Sequence, residues 1–307
     1  MSSIKTKRSR RSKTAIKSTN DLYGSIGVDP SLTIEDEEYE DSDIITENIS
    51  SFIPAPLIGE YDYNSMAIEY SKVNVPQQLG NYRSAMNYLT HYIPESDDEL
   101  NIKLQHILYN YPNVDISSFL NKENATLHSW ICEQMFRSFG EKYLGSIYVL
   151  GGGIGLLAAG ILDSKLRYEN IRSFDINGTG QFLADELMAD NLLNNWRFKA
   201  TTQDVFNIEY TKNVFSTVLQ NGTNSKPFEE IPGTVINYNI SYLTKYEKWW
   251  DMLPDMRRVV VAGESGDVPR PFSSSNSFNR KFPMTIETYS GVKKVGDKYF
   301  FMKIGYK

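Results

Sequence analysis

From about residue 98 the apolar positions return every third or fourth residue. In DDELNIKLQHILYN, Leu100, Leu104, Ile107 and Leu108 fall on one helical face. The acids that open this stretch and the Pro112-Asn113 pair that follows it suit the two ends of a helix. A second helix is predicted over 125–143, with Leu127, Ile131, Met135 and Phe139 on one face and Gly145 after its end. The rhythm then changes. IYVL at 147–150 is a short unbroken apolar run, which predicts a buried strand. A glycine turn follows, GGGIG at 151–155, and then a small-residue apolar stretch that predicts a helix to Leu162.

The alternation continues to the end of the chain. NIRSFDIN reads as a strand ending at Asp175, and GQFLADELMADNLLNN as a helix with Phe182, Leu183, Leu187 and Leu192 inward. RFKATTQDVF reads as a third strand, followed by about thirty residues that include the loop QNGTNSKPFEEIPG. TVINYNISYL is a fourth strand, YEKWWDML a short helix stopped by Pro254, and RRVVVAGES a fifth strand. TIETYSG and KYFFMKIGYK form a closing hairpin around Gly296-Asp297. Strands alternating with helices predict a doubly wound α/β domain with a mostly parallel sheet, and the hairpin predicts an antiparallel addition at one edge. No internal repeat is found.

Ahead of this domain the composition shifts. Residues 1–18 are basic and lack acids, whereas EDEEYEDSD at 35–43 is almost wholly acidic. Such blocks bury too little apolar area to offset the entropy of ordering. Residues 51–95 hold prolines, tyrosines and short apolar pieces such as FIPAPLIG. The expected organisation is a charged, largely irregular arm over 1–95 and an α/β domain over 96–307. The basic segment Lys5 to Lys17 is a candidate contact for nucleic acid or for an acidic protein surface.

The 307 residues are 40% hydrophobic, enough for a substantial core, and the net charge of −6 gives no overall argument for nucleic-acid binding. A single cysteine, Cys132, excludes an intrachain disulfide and a cysteine-based zinc site, which favours a reducing, cytoplasmic setting. No apolar core follows the basic N-terminus as in a signal peptide, and no run of eighteen apolar residues suggests a membrane span. The sequons at Asn124 and Asn177 are then chance matches.

The chemistry concentrates at the glycines. Gly151, Gly153 and Gly155 follow the first predicted strand, where an α/β sheet presents its switch-point crevice. Glycine lets a backbone approach a ligand closely and takes φ > 0 without a Cβ clash. The dinucleotide pattern G-x-G-x-x-G fits imperfectly. Counted from Gly151 its last position is Leu156, and counted from Gly153 it is Ala158. A tight turn that serves close packing alone fits the same five residues. Asp175, twenty residues beyond Gly155, ends the second strand and could accept hydrogen bonds from ribose hydroxyls, or could cap the helix that follows. Asp204 ends the third strand and could contact an adenine amino group, or could be an ordinary solvated loop acid. Asn237, Asn239 and Tyr242 sit at the end of the fourth, where buried amides must find partners.

This order of features resembles the class I S-adenosylmethionine-dependent methyltransferase family: a glycine turn after strand one, an acid after strand two, an aspartate after strand three, a polar end to strand four and a final antiparallel hairpin. The resemblance covers about residues 120–307. VINYNISYL, YEKWWDMLP, RRVVVAGES and SFNRKFPMTIETYSG are similar to segments of small methyltransferase-like proteins of tailed bacteriophages. The resemblance implies a Rossmann-like seven-stranded sheet and S-adenosylmethionine as cofactor. It also implies Gly151, Gly153 and Gly155 along the methionine part, Asp175 at the ribose, Asp204 near the adenine and Asn237 near the methyl group. It further implies a host-cytoplasmic protein, with association to the virion as a second setting.

Three departures from the pattern bear on activity more than on fold. Val149 stands where the family often has an acid, Ser241 and Tyr242 stand where the phage relatives tend to have an acid and a histidine, and there is no Asp/Asn-Pro-Pro-Tyr. Two other functions follow from the same residues: a catalytically silent methyltransferase-like binding or virion-associated module, and an FAD- or NAD-dependent oxidoreductase. His91, His106 and His128 lie outside the crevice motifs and lack helical metal-ligand spacing, so they are expected to be surface or packing residues. Of Trp249 and Trp250, which could stack a base, one is expected in the core and the other as a partly exposed cover.

Overall fold

A computed structural model describes residues 74–92, 97–193, 196–215 and 227–307, all within the unit Pro54–Lys307. The charged blocks at 1–18 and 35–43, the segment FIPAPLIG and the loop QNGTNSK lie outside the described residues. The helices are α1 (Val75–His91), α2 (Asp97–Asn110), α3 (Lys122–Phe139), α4 (Leu156–Leu162), α5 (Gly178–Leu187), α6 (Ala189–Leu193), α7 (Tyr246–Met252) and α8 (Ser275–Lys281). The strands are β1 (Ser146–Leu150), β2 (Ile171–Asp175), β3 (Phe198–Thr202), β4 (Asn213–Phe215), β5 (Phe228–Glu230), β6 (Pro232–Asn237), β7 (Arg258–Glu264), β8 (Ile286–Val295) and β9 (Lys298–Tyr306).

Seven strands form one Rossmann-like sheet in the order β3-β2-β1-β6-β7-β9-β8. β3, β2, β1, β6 and β7 run parallel, while β9 inserts antiparallel between β7 and β8. The order reverses between β1 and β6, so the crevice opens at the carboxyl ends of these two strands. Helices cover both faces, which explains why β1 is buried along its whole length and reads as an unbroken apolar run. Its side chains still alternate. Ile147 and Val149 join a core with Leu104, Ile131 and Leu157, whereas Tyr148 and Leu150 join an aromatic core with Phe174, Trp249 and Phe278.

Several boundaries differ from the sequence pattern. α3 ends at Gly140 rather than near residue 143, because Gly140 takes φ +56° and donates its N–H to the Phe136 carbonyl. The helix expected from GQFLADELMADNLLNN breaks at Met188 into α5 and α6, and the side chain of Leu192 is not among those described. The stretch after β3 holds a small separate hairpin, β4 with β5. α8, before the closing hairpin, carries no strong periodicity and was not expected. Trp249 and Trp250 are both buried, at 0% and 5% exposure, so neither serves as a cover or offers a face to an incoming base.

The larger difference is α1, which lies in the region expected to have little regular structure. Asn74 caps it by accepting from the Gln77 N–H, and Pro76 stands in its first turn. Its buried face is Asn81, Ala85 and Tyr88, while Leu79 and Met86 are both exposed. The buried stripe is therefore polar or small, and hydrophobic periodicity does not report it. Asn81 is held inside by donating to the Val114 carbonyl and accepting from the Ile116 N–H. Tyr88 stacks on Tyr92 with ring centroids 5.4 Å apart. α1 is thus part of the main core, and the expected boundary at residue 95 does not mark where that core begins.

We predict that Tyr88→Ala lowers the unfolding free energy by about 3–5 kcal/mol, as for truncation of a buried aromatic. Leu79→Ala, on the exposed face of the same helix, should stay within about 0.5 kcal/mol. Urea denaturation of the full chain distinguishes the two.

Candidate functional site

The crevice is built on the loop between β1 and α4. The N–H groups of Gly151 and Gly152 both donate to the Phe174 carbonyl, and that of Gly155 to the Gly152 carbonyl. The Gly153 N–H donates to Asp175 Oδ2 at 3.0 Å. Side-chain amides hold the loop from two sides. Gln181 Nε2 donates to the Gly153 carbonyl and Asn239 Nδ2 to the Gly151 carbonyl, both at 2.8 Å. The loop is therefore fixed by its own surroundings, and the four glycine amides are all committed within the protein.

The glycines have different reasons for being glycine. Gly155 has φ +82°, and a Cβ there would sit 3.1 Å from the Ala184 Cβ, so its bareness lets α5 pack against the loop. Gly153 has φ +53°, and a Cβ there would meet the Phe119 ring at 2.8 Å. Gly151 borders the open cleft, Gly153 borders a small annex of it, and Gly155 borders neither. Of the three glycines expected along a ligand, Gly155 is thus a packing residue.

The cleft has a volume of about 690 Å³. Asp175, Asp204 and Phe206 line it on the side of β2 and β3, and Asn237, Asn239 and Tyr242 at the end of β6. Glu264, Lys298 and Phe300 form the far wall, and Phe119, Glu123 and Asn124 enter from the segment around the start of α3. Gly151, Asp175, Asp204 and Asn237 are brought together as the sequence pattern expects. Asp175 also accepts from the Asn177 N–H through Oδ1, and Asn177, not Asp175, caps α5. With two of its roughly four acceptor sites used, the carboxylate retains capacity for ligand hydroxyls. Asp204 caps the turn at Val205–Asn207 by accepting from the Phe206 N–H, while its side chain remains exposed to the cleft. Asn237 is 3% exposed, and its amide has no protein partner among the described residues. The Tyr242 hydroxyl is pushed up to about 12 by partial burial and by the Glu264 carboxylate beside it, so it stays a neutral phenol.

His128 departs from expectation. It lies one helical turn after Asn124, and both border the annex of about 90 Å³ beneath Gly151, Gly152 and Gly153. Its Nδ1 is 2.8 Å from the Tyr88 hydroxyl, its ring meets Tyr238 edge-on, and its Nε2 is buried without a partner among the described residues. Burial pushes its pKa down to about 3, so the ring is neutral. The Asn124/His128 spacing of four residues was the available sequence signal. His91 and His106 lie outside this cleft, and no His/Cys/Asp/Glu group able to hold a metal occurs among the described residues. Nor is any helix among them long and apolar enough to cross a membrane.

No protein-family model matches the chain, and no curated protein matches its sequence. Solved structures similar to it include a SAM-dependent methyltransferase from Aquifex aeolicus, with 12% identity over 56% of this chain and 88% of that one and a TM-score of 0.38. A second is an RNA methyltransferase from Salinibacter ruber in complex with S-adenosyl-L-homocysteine, with 10% identity over 57% and 90% and a TM-score of 0.33. A third is the C-terminal domain of precorrin-6Y C5,15-methyltransferase from Rhodobacter capsulatus, with 9% identity over 58% and 89% and a TM-score of 0.36.

The depressed pKa of His128 has a consequence for acid stability. The unfolded chain takes up a proton near pH 6.5 that the folded chain refuses until about pH 3, so stability is full above 6.5 and falls as the pH drops. We predict that His128→Gln, which cannot titrate, reduces the stability lost between pH 6.5 and 4.5 by about 2–3 kcal/mol. The pH dependence of urea unfolding checks this.

Proposed function

We propose that the protein is an S-adenosylmethionine-dependent methyltransferase. The observation that carries this reading is the loop in which Gly153 is tied to Asp175 beside an open cleft. A dinucleotide site needs loop N–H groups free to receive a pyrophosphate. Here the amides of Gly151, Gly152, Gly153 and Gly155 are all donated internally. The antiparallel β9 between β7 and β8 also departs from the 3-2-1-4-5-6 order of dinucleotide folds. The strand order speaks against an FAD or NAD enzyme, and the carboxylates beside the loop favour a ligand recognised through hydroxyl, amine and adenine groups.

The residues fit such a cofactor. Asp175 retains acceptor capacity for ribose hydroxyls, Asp204 is available to an adenine amino group, and Gly151 borders the cleft where the methionine chain would run. When bound, the cofactor supplies an electrophilic methyl group on a sulfonium. The chain's own part is to place Asn237 at the reacting centre and to keep Tyr242 a neutral phenol, with Phe206 and Phe300 as apolar walls. Methyl transfer asks chiefly for such positioning and desolvation. The basic segment Lys5 to Lys17 is the stretch best suited to an acidic partner, nucleic acid or protein.

One observation favours the silent-module reading. The Phe119 ring sits against Gly153, on the side where a ligand chain would run. A calorimetric titration with S-adenosylhomocysteine, NAD and FAD decides between the three. We predict binding of S-adenosylhomocysteine alone, weakened by about 1–3 kcal/mol in Asp175→Ala. No binding at millimolar S-adenosylhomocysteine removes the enzyme reading.

A further inference from the structure

The half of the cleft away from the glycine loop has a chemistry of its own. It is formed where β6 and β7 end and where β9 begins, two strands removed from Asp175. Among the described charged side chains lining the cleft, Glu123, Asp175, Asp204 and Glu264 are carboxylates and Lys298 is the single ammonium. Lys298 Nζ is already paired with Glu264 Oε2 at 2.9 Å. Glu264 is buried to 7% exposure at the base of this half, with the Tyr242 phenol against it. The buried amide of Asn237 borders the same space and has no partner among the described residues.

The Asn237 side chain makes no hydrogen bond to another described residue, so its amide is left to meet water or a ligand in the cleft. The groups around it, Glu123, Glu264 and the Asn237 carbonyl, are hydrogen-bond acceptors, and two of them are negative. Lys298 offsets Glu264, and Glu123 leaves the described lining of this half net acidic, which disfavours a phosphate or carboxylate ligand. Phe300, Tyr238 and Tyr242 add apolar flanks suited to a methylene chain.

We propose that this half of the cleft binds a primary alkylamine, and that the amine is the methyl acceptor. The inference rests on the methyltransferase reading above. The ammonium loses one proton to solvent through the open cleft. The nitrogen lone pair then forms the N–CH₃ bond, and the S–CH₃ bond of the sulfonium donor breaks with its electron pair on sulfur. The product is a secondary ammonium and a thioether. Positive charge develops on nitrogen on the side of Glu264, which Lys298 holds in place, and Glu123 adds a second carboxylate to the lining. The alkylamine could come from a small diamine or from a lysine side chain of a peptide; both present the same group.

The test is calorimetry on the full chain saturated with S-adenosylhomocysteine. The probes are 1,5-diaminopentane, a lysine-containing peptide, 1-pentanol, pentanoate and a short single-stranded oligonucleotide. At least one amine should bind about tenfold or more tightly than the alcohol and the acid, the difference expected of a charged hydrogen bond. Whether the diamine or the peptide binds better identifies the source. Glu264→Gln should weaken the amine about tenfold and leave S-adenosylhomocysteine affinity unchanged, which also reports folding. Lys298→Gln, on a half-exposed side chain, should strengthen the amine by freeing Glu264. Labelled methyl from S-adenosylmethionine should then appear on the amine nitrogen. Tighter binding of pentanol, pentanoate or the oligonucleotide, or amine binding indifferent to both variants, overturns the proposal. Methyl transfer to oxygen or carbon overturns it as well. S-adenosylhomocysteine binding without amine binding sinks this proposal alone. Absence of S-adenosylhomocysteine binding sinks the methyltransferase reading, and this proposal with it.

Discussion

The carboxylate of Asp175, at the end of β2, fastens the loop after β1 to the turn that enters α5. One oxygen accepts from Gly153 in the loop after β1, and the other accepts from Asn177 at the entrance to α5. Around this tie, Gln181 and Asn239 take up the two loop carbonyls that face them. The loop is consequently held in a conformation with positive φ at three glycines, a state that isolated chain would rarely keep. Close packing of α5 against Gly155, the opening of the cleft at Gly151 and the commitment of the glycine amides all follow from that arrangement.

β1 and β7 were legible in the sequence because burial on both faces leaves them as short apolar runs, and β2 and β6 through their places between turn residues in the strand-helix alternation. The closing hairpin was legible through Gly296 and its φ of +58°. α1 was not, because the residues it buries are Asn81, Ala85 and Tyr88 while its larger aliphatic residues face outward. Periodicity reads side-chain hydrophobicity, and that helix is held in place partly by the hydrogen bonds of a buried amide. The break at Met188 and the exit at Gly140 are likewise set by local hydrogen bonding rather than by pattern.

At the site, the polar residues that close the strands beside the glycine turn were legible, whereas Glu264 at the end of β7 and the residues that enter from around α3 were not. Asp175, Asp204 and Asn237 each follow from position along a strand, and all three line the cleft. Glu123, Asn124, His128 and Phe119 reach it from the segment around the start of α3, and Glu264 and Lys298 from the far strands. Their convergence depends on how α3 and the hairpin dock on the sheet, which no spacing in the chain encodes. Gly155 shows the opposite case: a motif position whose bareness serves helix packing.

The central claim is that a sulfonium cofactor lies in the crevice between the glycine loop and the end of β6. The most direct measurement is a crystal structure of the full chain with S-adenosylhomocysteine. The account predicts ribose hydroxyls within hydrogen-bonding distance of the Asp175 carboxylate, the thioether facing Asn237, and the Gly153–Asp175 bond retained. A ligand bound elsewhere, or held by loop amides released from their internal partners, would contradict it.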